Sequence, residues 1–141
     1  MIVYLVRHAR AGHRETWAGD DDRVRPLDER GRQQAEALVD QLAGRDFSRI
    51  VSSPYLRCLQ SVEPLATARA LEVEAVDELA EGAGEEAALE IFHGLDAPAV
   101  ASVHSDLAEA LLGDKLKKGA TAVLDVSADG VDVLERLDPP A

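Results

Sequence analysis

Ile2-Val3-Tyr4-Leu5-Val6-Arg7-His8-Ala9-Arg10-Ala11-Gly12 opens the chain, and its reading governs the rest. Five apolar residues in a row, rich in β-branched and aromatic side chains, read as a strand buried on both faces of a parallel sheet. The run stops at Arg7-His8. Open α/β sheets hold their ligands outside the carboxyl ends of their strands. An arginine and a histidine therefore arrive together where such a fold does its chemistry. Taken by itself, the pair is also what a solvated strand end looks like.

The plan recurs twice. Ile50-Val51-Ser52-Ser53-Pro54-Tyr55-Leu56-Arg57 is a short apolar strand, a turn, and an arginine in the first turn of the next helix. Val100-Ala101-Ser102-Val103-His104 is a strand that ends on a histidine. Three strand ends thus supply Arg7, His8, Arg57 and His104.

The segments between them alternate. Asp28 is a candidate N-cap, and Ala35, Leu38, Val39 and Leu42 form one helical stripe ending near a Gly44 cap. Ser53 is placed to cap the next helix, with Pro54 at its first position. Pro64 is expected to kink or end that helix, with Leu65 to Ala70 open to continuing the helical path. A short strand is expected over Val73 to Val76, a helix over Glu85 to Leu95, and a helix over Asp106 to Leu112 closed by Gly113. A strand from Thr121 to Val126 then leads to an Asp129-Gly130 hairpin turn. No repeat, low-complexity linker or domain boundary interrupts residues 1–141. The expectation is a single α/β domain: three α/β/α layers around a central, mostly parallel sheet.

The long loop from Ala11 to Leu27 holds Arg10 at its edge, then His13, Arg14, Trp17 and Asp20-Asp21-Asp22. Loops of this length are usually functional. The aspartates lack the alternating ligand spacing of a calcium loop and read as a solvated acidic turn. Trp17 is placed to stack on a substrate or to anchor the loop. Lys115, Lys117 and Lys118 read as a solvated basic turn.

The 141 residues are 46% hydrophobic with a net charge of −12. That balance disfavours duplex nucleic acid and anionic membrane as partners. The charge is uneven: residues 1–32 carry seven arginines against six acidic side chains, and the strongly acidic remainder lies beyond them. No apolar run reaches the ~20 residues of a membrane span, and no basic-plus-apolar leader opens the chain. The single cysteine, Cys58, reads as a small buried helix residue and fits a reducing cytoplasm.

Arg7-His8, Ser52-Ser53-Pro54-Tyr55-Leu56-Arg57, His104, and Arg25-Pro26-Leu27-Asp28 with Gly31-Arg32, Gln34 and Ala35 occur in an order and spacing that resembles the histidine phosphatase superfamily. Within it the chain is similar to the short phosphohistidine phosphatases. It is also similar to the phosphatase domain fused behind a Nudix hydrolase in some bacterial proteins, on Trp17, Val62-Glu63-Pro64-Leu65-Ala66, Leu79-Ala80-Glu81-Gly82 and Lys118-Gly119. The resemblance implies a phosphoglycerate-mutase-like fold and a phosphatase that needs neither cofactor nor metal. It implies His8 as the nucleophile forming a phosphohistidine, with Arg7, Arg57 and His104 around the phosphate. Glu81 is the implied general acid, with Glu78 in reserve. Arg10 and Trp17 are candidates to extend the substrate pocket, against the alternatives of a solvated loop arginine and a loop anchor. Two positions depart from the usual pattern, Ala9 after the histidine and Ser105 after His104, where glycine is commoner.

Only one loop and one helix fit between Val76 and Pro98, where larger relatives carry a cap subdomain. An open site follows. It would admit a protein phosphohistidine, or a phosphorylated metabolite or nucleotide. The rival readings are a phosphate-binding module without turnover and, less favoured, a mutase.

Overall fold

The computed structural model describes residues 1–140, apart from the side chain of Arg14. Strands are β1 (Ile2–Arg7), β2 (Arg49–Ser52), β3 (Val73–Ala75), β4 (Ala99–Val103), β5 (Thr121–Ser127) and β6 (Gly130–Leu137). Helices are α1 (Glu29–Gln41), α2 (Leu56–Arg69), α3 (Glu85–His93) and α4 (Ser105–Leu112). Single 3-10 turns occupy Arg14–Thr16, Asp22–Val24 and Asp77–Leu79.

The strands form one sheet in the order β3-β2-β4-β1-β5-β6. β3, β2, β4 and β1 run parallel, while β5 is antiparallel to β1 and β6 to β5. The alternation of β1 fixes the layers. Val3 and Leu5 point to a cluster with Ala88 and Phe92 of α3 and Leu107 and Ala108 of α4. Tyr4 and Val6 point the other way, against Leu38 and Leu42 of the α1 end and Val62 and Leu65 of α2. β1 is therefore apolar throughout because both of its faces are covered. The expected three layers are present.

The order of the strands makes the site. β4 enters between β1 and β2, so three parallel strands end side by side at one edge. That edge receives Arg7-His8 from β1, His104 from β4, and Ser53 and Arg57 from β2 and the start of α2.

Two helix boundaries and the hairpin turn depart from the sequence expectation. Leu42, not Gly44, caps α1. α2 begins at Leu56, not Pro54, with Tyr55 at its N-cap and no side-chain cap; the hydroxyl expected to cap it is drawn into the site. Pro64 lies inside α2, which continues to Arg69. A mid-helix proline costs about 3 kcal/mol. Here Val62, Leu65 and Ala66 are buried on the sheet side, and their burial outweighs the one lost backbone bond. The hairpin turn is Ala128-Asp129, with Gly130 already paired to Ser127.

The Asp28 N-cap holds as read: its Oδ1 accepts from Gly31 N–H at 2.7 Å. Its Oδ2 accepts from Gly12 N–H at 3.1 Å, tying α1 to the loop after His8. Gly31 has a steric reason as well: any Cβ there would fall on the Arg10 carbonyl oxygen. That oxygen accepts from Asp28 N–H at 3.0 Å. Neither Ala9 nor Ser105 needs the left-handed region, which glycine would have allowed, because Ala70 alone among the described non-glycine residues has a positive φ.

Candidate active site

The carboxyl edge of β1, β4 and β2 is hollowed into a cavity of about 340 Å³, lined in part by Arg7, His8, Arg25, Arg57, Glu81 and Lys118. A larger groove of about 520 Å³ lies between α1 and α2, walled by Arg32, Glu36, Gln60 and Glu63. No histidine reaches it, and the chemistry belongs to the smaller cavity.

His8 is 8% exposed and its Nδ1 lies 2.8 Å from the Ala9 carbonyl oxygen. A carbonyl only accepts, so Nδ1 carries the proton and Nε2 keeps its lone pair. Ser61 fixes this loop against α2: its Oγ accepts from Ala9 N–H at 2.8 Å and donates to Arg57 O at 2.7 Å. Burial pushes the His8 imidazole down to about 3. The bond to Ala9 opposes the shift; the charges of Arg57 and Arg7 and the neighbouring His104 add to it. At neutral pH this ring is uncharged.

His104 stands with its ring centroid 5.6 Å from that of His8. Its Nε2 is 2.8 Å from Ser53 Oγ and 3.5 Å from Cys58 Sγ. Ser53 Oγ already accepts from Tyr55 N–H at 3.2 Å, so its own proton is free to give to Nε2. Burial lifts the Cys58 thiol to about 12, so it too keeps a proton. Nδ1 therefore bears the ring hydrogen and faces Glu81 Oε2 at 3.5 Å. The Tyr55 ring packs edge-on at 4.7 Å. Burial first, then Arg57, lowers His104 to about 4, against the pull of Glu81 and Asp106. At neutral pH His104 is an uncharged donor.

Arg57 is almost wholly buried yet polar on every side. Its Nη1 donates to Asp22 O at 2.9 Å; its Nη2 donates to Asp22 Oδ2 at 3.1 Å and to Glu81 Oε2 at 2.9 Å. Arg7 donates from Nη1 to Leu116 O at 2.7 Å. Among the described residues the buried Nε atoms of Arg7 and Arg57 have no acceptor. Orphaned donors of this kind cost about 1–3 kcal/mol each.

Glu81 lines the cavity, whereas Glu78 is exposed on the 3-10 turn before it. Asp106 Oδ2 accepts from Gly82 N–H at 2.8 Å, so two acids sit together on one wall. Arg25 braces the opposite wall, with Nη1 donating to Ala11 O at 2.6 Å and Nε to Asp22 Oδ1 at 2.9 Å. Trp17 stands apart from the lining. Its Nε1 donates to Asp21 O at 3.3 Å and its ring packs on Gly19, where an added Cβ would collide with Cζ2. Arg10 is exposed beside the cavity rather than lining it.

Two expectations are corrected. The acidic turn is not merely solvated: Asp21 holds Arg23, and Asp22 bridges Arg25 and Arg57. Among the described residues no group of three or more His, Cys, Asp or Glu is arranged to hold a metal ion. Lys118 is not a free surface residue either; it is half-buried in the cavity wall, while Lys117 is exposed. Ser53 and Ser61 were invisible as site residues because their partners lie 51 and 52 positions away.

The buried histidines set a pH dependence. Both have folded values below the ordinary 6.5, so the unfolded chain binds protons that the folded chain refuses. Stability from this source is complete above about pH 7 and falls as pH drops from 6.5 toward 4 and 3. At pH 5 the expected loss is on the order of 2 kcal/mol for each histidine. Urea unfolding at pH 7.5 and pH 5 measures it; equal stability at both would remove the assignment of two neutral buried rings.

The sequence profile of the histidine phosphatase superfamily, branch 1, matches residues 3–137. The chain belongs to that superfamily. A stretch of 64 residues, 45% of this chain, is 52% identical to an 8-oxo-(d)GTP phosphatase of Mycolicibacterium smegmatis and covers 20% of that protein's length. The chain thus spans about a fifth of the curated relative it matches. Among solved structures, a SixA-type phosphohistidine phosphatase of Nakamurella multipartitia superposes with a TM-score of 0.79 at 25% identity, over 99% of this chain and 96% of that one. The protein histidine phosphatase SixA complexed with tungstate superposes with a TM-score of 0.82 at 21% identity, over 99% and 97% of the two chains. At that identity the likeness is one of fold. No helix among the described residues is long and apolar enough to cross a membrane.

Proposed function

We propose that the chain is a phosphohydrolase that works through a phosphohistidine on His8 Nε2. The observation that carries this reading is the bond from Nδ1–H to Ala9 O, which leaves an uncharged Nε2 inside a cavity lined by guanidinium groups. Neutral imidazole is a nucleophile at pH 7 without a separate base. Phosphoryl transfer otherwise asks for position and positive charge around the equatorial oxygens. Arg7 and Arg57 supply that charge in bidentate form, and His104 Nδ1–H supplies a third donor. A bound phosphoryl group would give the orphaned Nε atoms their acceptor.

In the first step Nε2 attacks phosphorus and the bond to the leaving oxygen breaks with its electron pair. In the second, water attacks the phosphorus and the pair returns to Nε2, releasing inorganic phosphate. Glu81, 2.9 Å from Arg57 Nη2 and 3.5 Å from His104 Nδ1, is the proton donor to a leaving alkoxide and then the base for water. Phosphate would take its place on Arg57, and the released carboxylate would take up a proton from solvent before giving it to the leaving oxygen.

The substrates this site favours are a protein phosphohistidine or a small phosphorylated metabolite or nucleotide, since only the short α3 segment stands where a cap would be. A panel of phosphohistidine protein, nucleotides and sugar phosphates, assayed with purified protein, tests this. Bound phosphate with no turnover on any substrate would favour the rival binding module. The phosphate charge is met by side chains, so activity is expected to survive EDTA. Loss on chelation, with rescue by magnesium, would overturn that expectation.

A further inference from the structure

The cavity holds one cation more than a single phosphoryl group requires. Along the carboxyl edge the sheet order β2-β4-β1-β5 sets out Arg57, His104, Arg7-His8 and then Lys118 in turn. Lys118 precedes β5 and so lies on the far side of His8 from Arg57. Neighbouring strands are about 4.8 Å apart, so the backbone of Lys118 enters the edge roughly one strand spacing beyond that of His8, and its side chain lines the same cavity.

Its position is built. Gly119 N–H donates to both Arg7 O and His8 O at 3.1 Å, and Arg7 N–H donates to Ala120 O at 3.1 Å. Gly119 adopts a φ of +82°, the left-handed turn that glycine allows. Arg7 Nη1 closes the clamp on Leu116 O at 2.7 Å. The segment that carries Lys118 is therefore bolted to the catalytic strand end.

Its electrostatic setting is costly without a ligand. Lys118 forms no hydrogen bond or ion pair among the described residues, and it lies in the field of Arg7, Arg10 and Arg25. Burial first, then these three cations, lower its ammonium below the ordinary lysine range, with Asp28 opposing them; Glu15, Glu81 and Asp106 also line the cavity. Both Asp28 oxygens are already occupied by the N–H groups of Gly31 and Gly12. Like charges drawn together around a cavity in a protein of net charge −12 call for an anion.

We propose that Lys118, with Arg10 beside it, forms a second phosphate subsite, and that the enzyme acts on the terminal phosphoryl group of a diphosphate or longer polyphosphate ester. The inference rests on the phosphohistidine reading above and narrows its substrate class. His8 Nε2 attacks the terminal phosphorus. The bridging P–O bond breaks, and its electron pair stays on the oxygen of the shortened phosphate, which Lys118 holds. Water then cleaves the P–N bond and yields inorganic phosphate. A leaving phosphate needs no proton, so Glu81 can remain paired with Arg57 until the phosphate arrives.

The test compares ADP, AMP and p-nitrophenyl phosphate on the purified protein. Wild type is expected to show a kcat/KM for ADP at least tenfold above AMP. Lys118→Ala is expected to lower the ADP/AMP ratio tenfold or more, chiefly through KM, and Lys118→Arg to restore it within threefold. Inorganic diphosphate should compete against p-nitrophenyl phosphate at least tenfold better than inorganic phosphate does, a measurement on wild type alone. An ADP/AMP ratio near one, or one unmoved by Lys118→Ala, overturns the subsite. Turnover of p-nitrophenyl phosphate with a label on His8 tests the underlying reading separately. Its absence overturns both; its presence with a flat ADP/AMP ratio overturns only the subsite.

Discussion

His8→Ala is expected to abolish turnover on every substrate, by a factor on the order of 10⁴ or more, since no other group can carry the covalent intermediate. Brief mixing of wild type with a radiolabelled phosphodonor, followed by denaturation without acid, is expected to trap one phosphate per chain. The label should be labile in acid and stable in base, as a P–N bond is, and absent from the variant. The size of the effect follows from the local structure. His8 is held by Nδ1–H on Ala9 O, and the Ala9 N–H is held by Ser61 of α2. His104 is in the same cavity but turns Nε2 toward Ser53 and Cys58 and offers only an N–H. It cannot replace the lost nucleophile. Full turnover by His8→Ala, or a label on another residue, would end the assignment.

Much of this site could be read before any coordinate was known, and the reason is physical. β1 is covered on both faces, so its apolar run had to be continuous, and its end at Arg7-His8 had to mark the sheet edge. The same logic places His104 and Arg57 at neighbouring edges once β4 is seen to enter between β1 and β2. What stayed hidden depends on tertiary partners. Nothing local reveals that Asp22 reaches Arg57 across 35 positions. The three aspartates look solvated because a run of like charges usually is. Lys118 looks free for the same reason, and only the Gly119 bonds to Arg7 and His8 bring it inward. Pro64 carries a local cost that the buried face of α2 outweighs, and the helix continues past it to Arg69.

The two carboxylates on Arg57 bear on catalysis as well as on folding. Asp22 and Glu81 occupy the guanidinium face that a phosphate would use. They keep a nearly buried cation paired while no substrate is present, which avoids the severe cost of an uncompensated buried charge. Substrate must exchange with them. In the proposed mechanism the exchange releases the Glu81 carboxylate to take up a proton from solvent beside the forming leaving group, so one ion pair links phosphate binding to the supply of a proton.

That linkage separates the two residues by experiment. Arg57→Ala is expected to lower kcat/KM by about 10²–10³-fold, because transition-state charge stabilisation is lost. The loss should be about equal for an alkyl phosphate, p-nitrophenyl phosphate and a phosphohistidine, which share the same phosphoryl oxygens. Truncation also leaves Asp22 and Glu81 without their partner, so Arg57→Lys is measured beside it. Lysine keeps the charge but loses the fork, and its loss should be flat across the three substrates too. Glu81→Gln is expected to behave differently. It should slow the alkyl phosphate by about 100-fold, within the usual range for general acid catalysis. It should scarcely change the nitrophenyl phosphate or the phosphohistidine, whose leaving groups depart without a proton. The measurement is kcat/KM for all three variants on the same three substrates. A flat profile for Glu81→Gln would reduce Glu81 to a partner of Arg57 and leave protonation to water. A profile for Arg57→Lys that tracked leaving-group basicity would place the arginine at the leaving oxygen rather than on the phosphate.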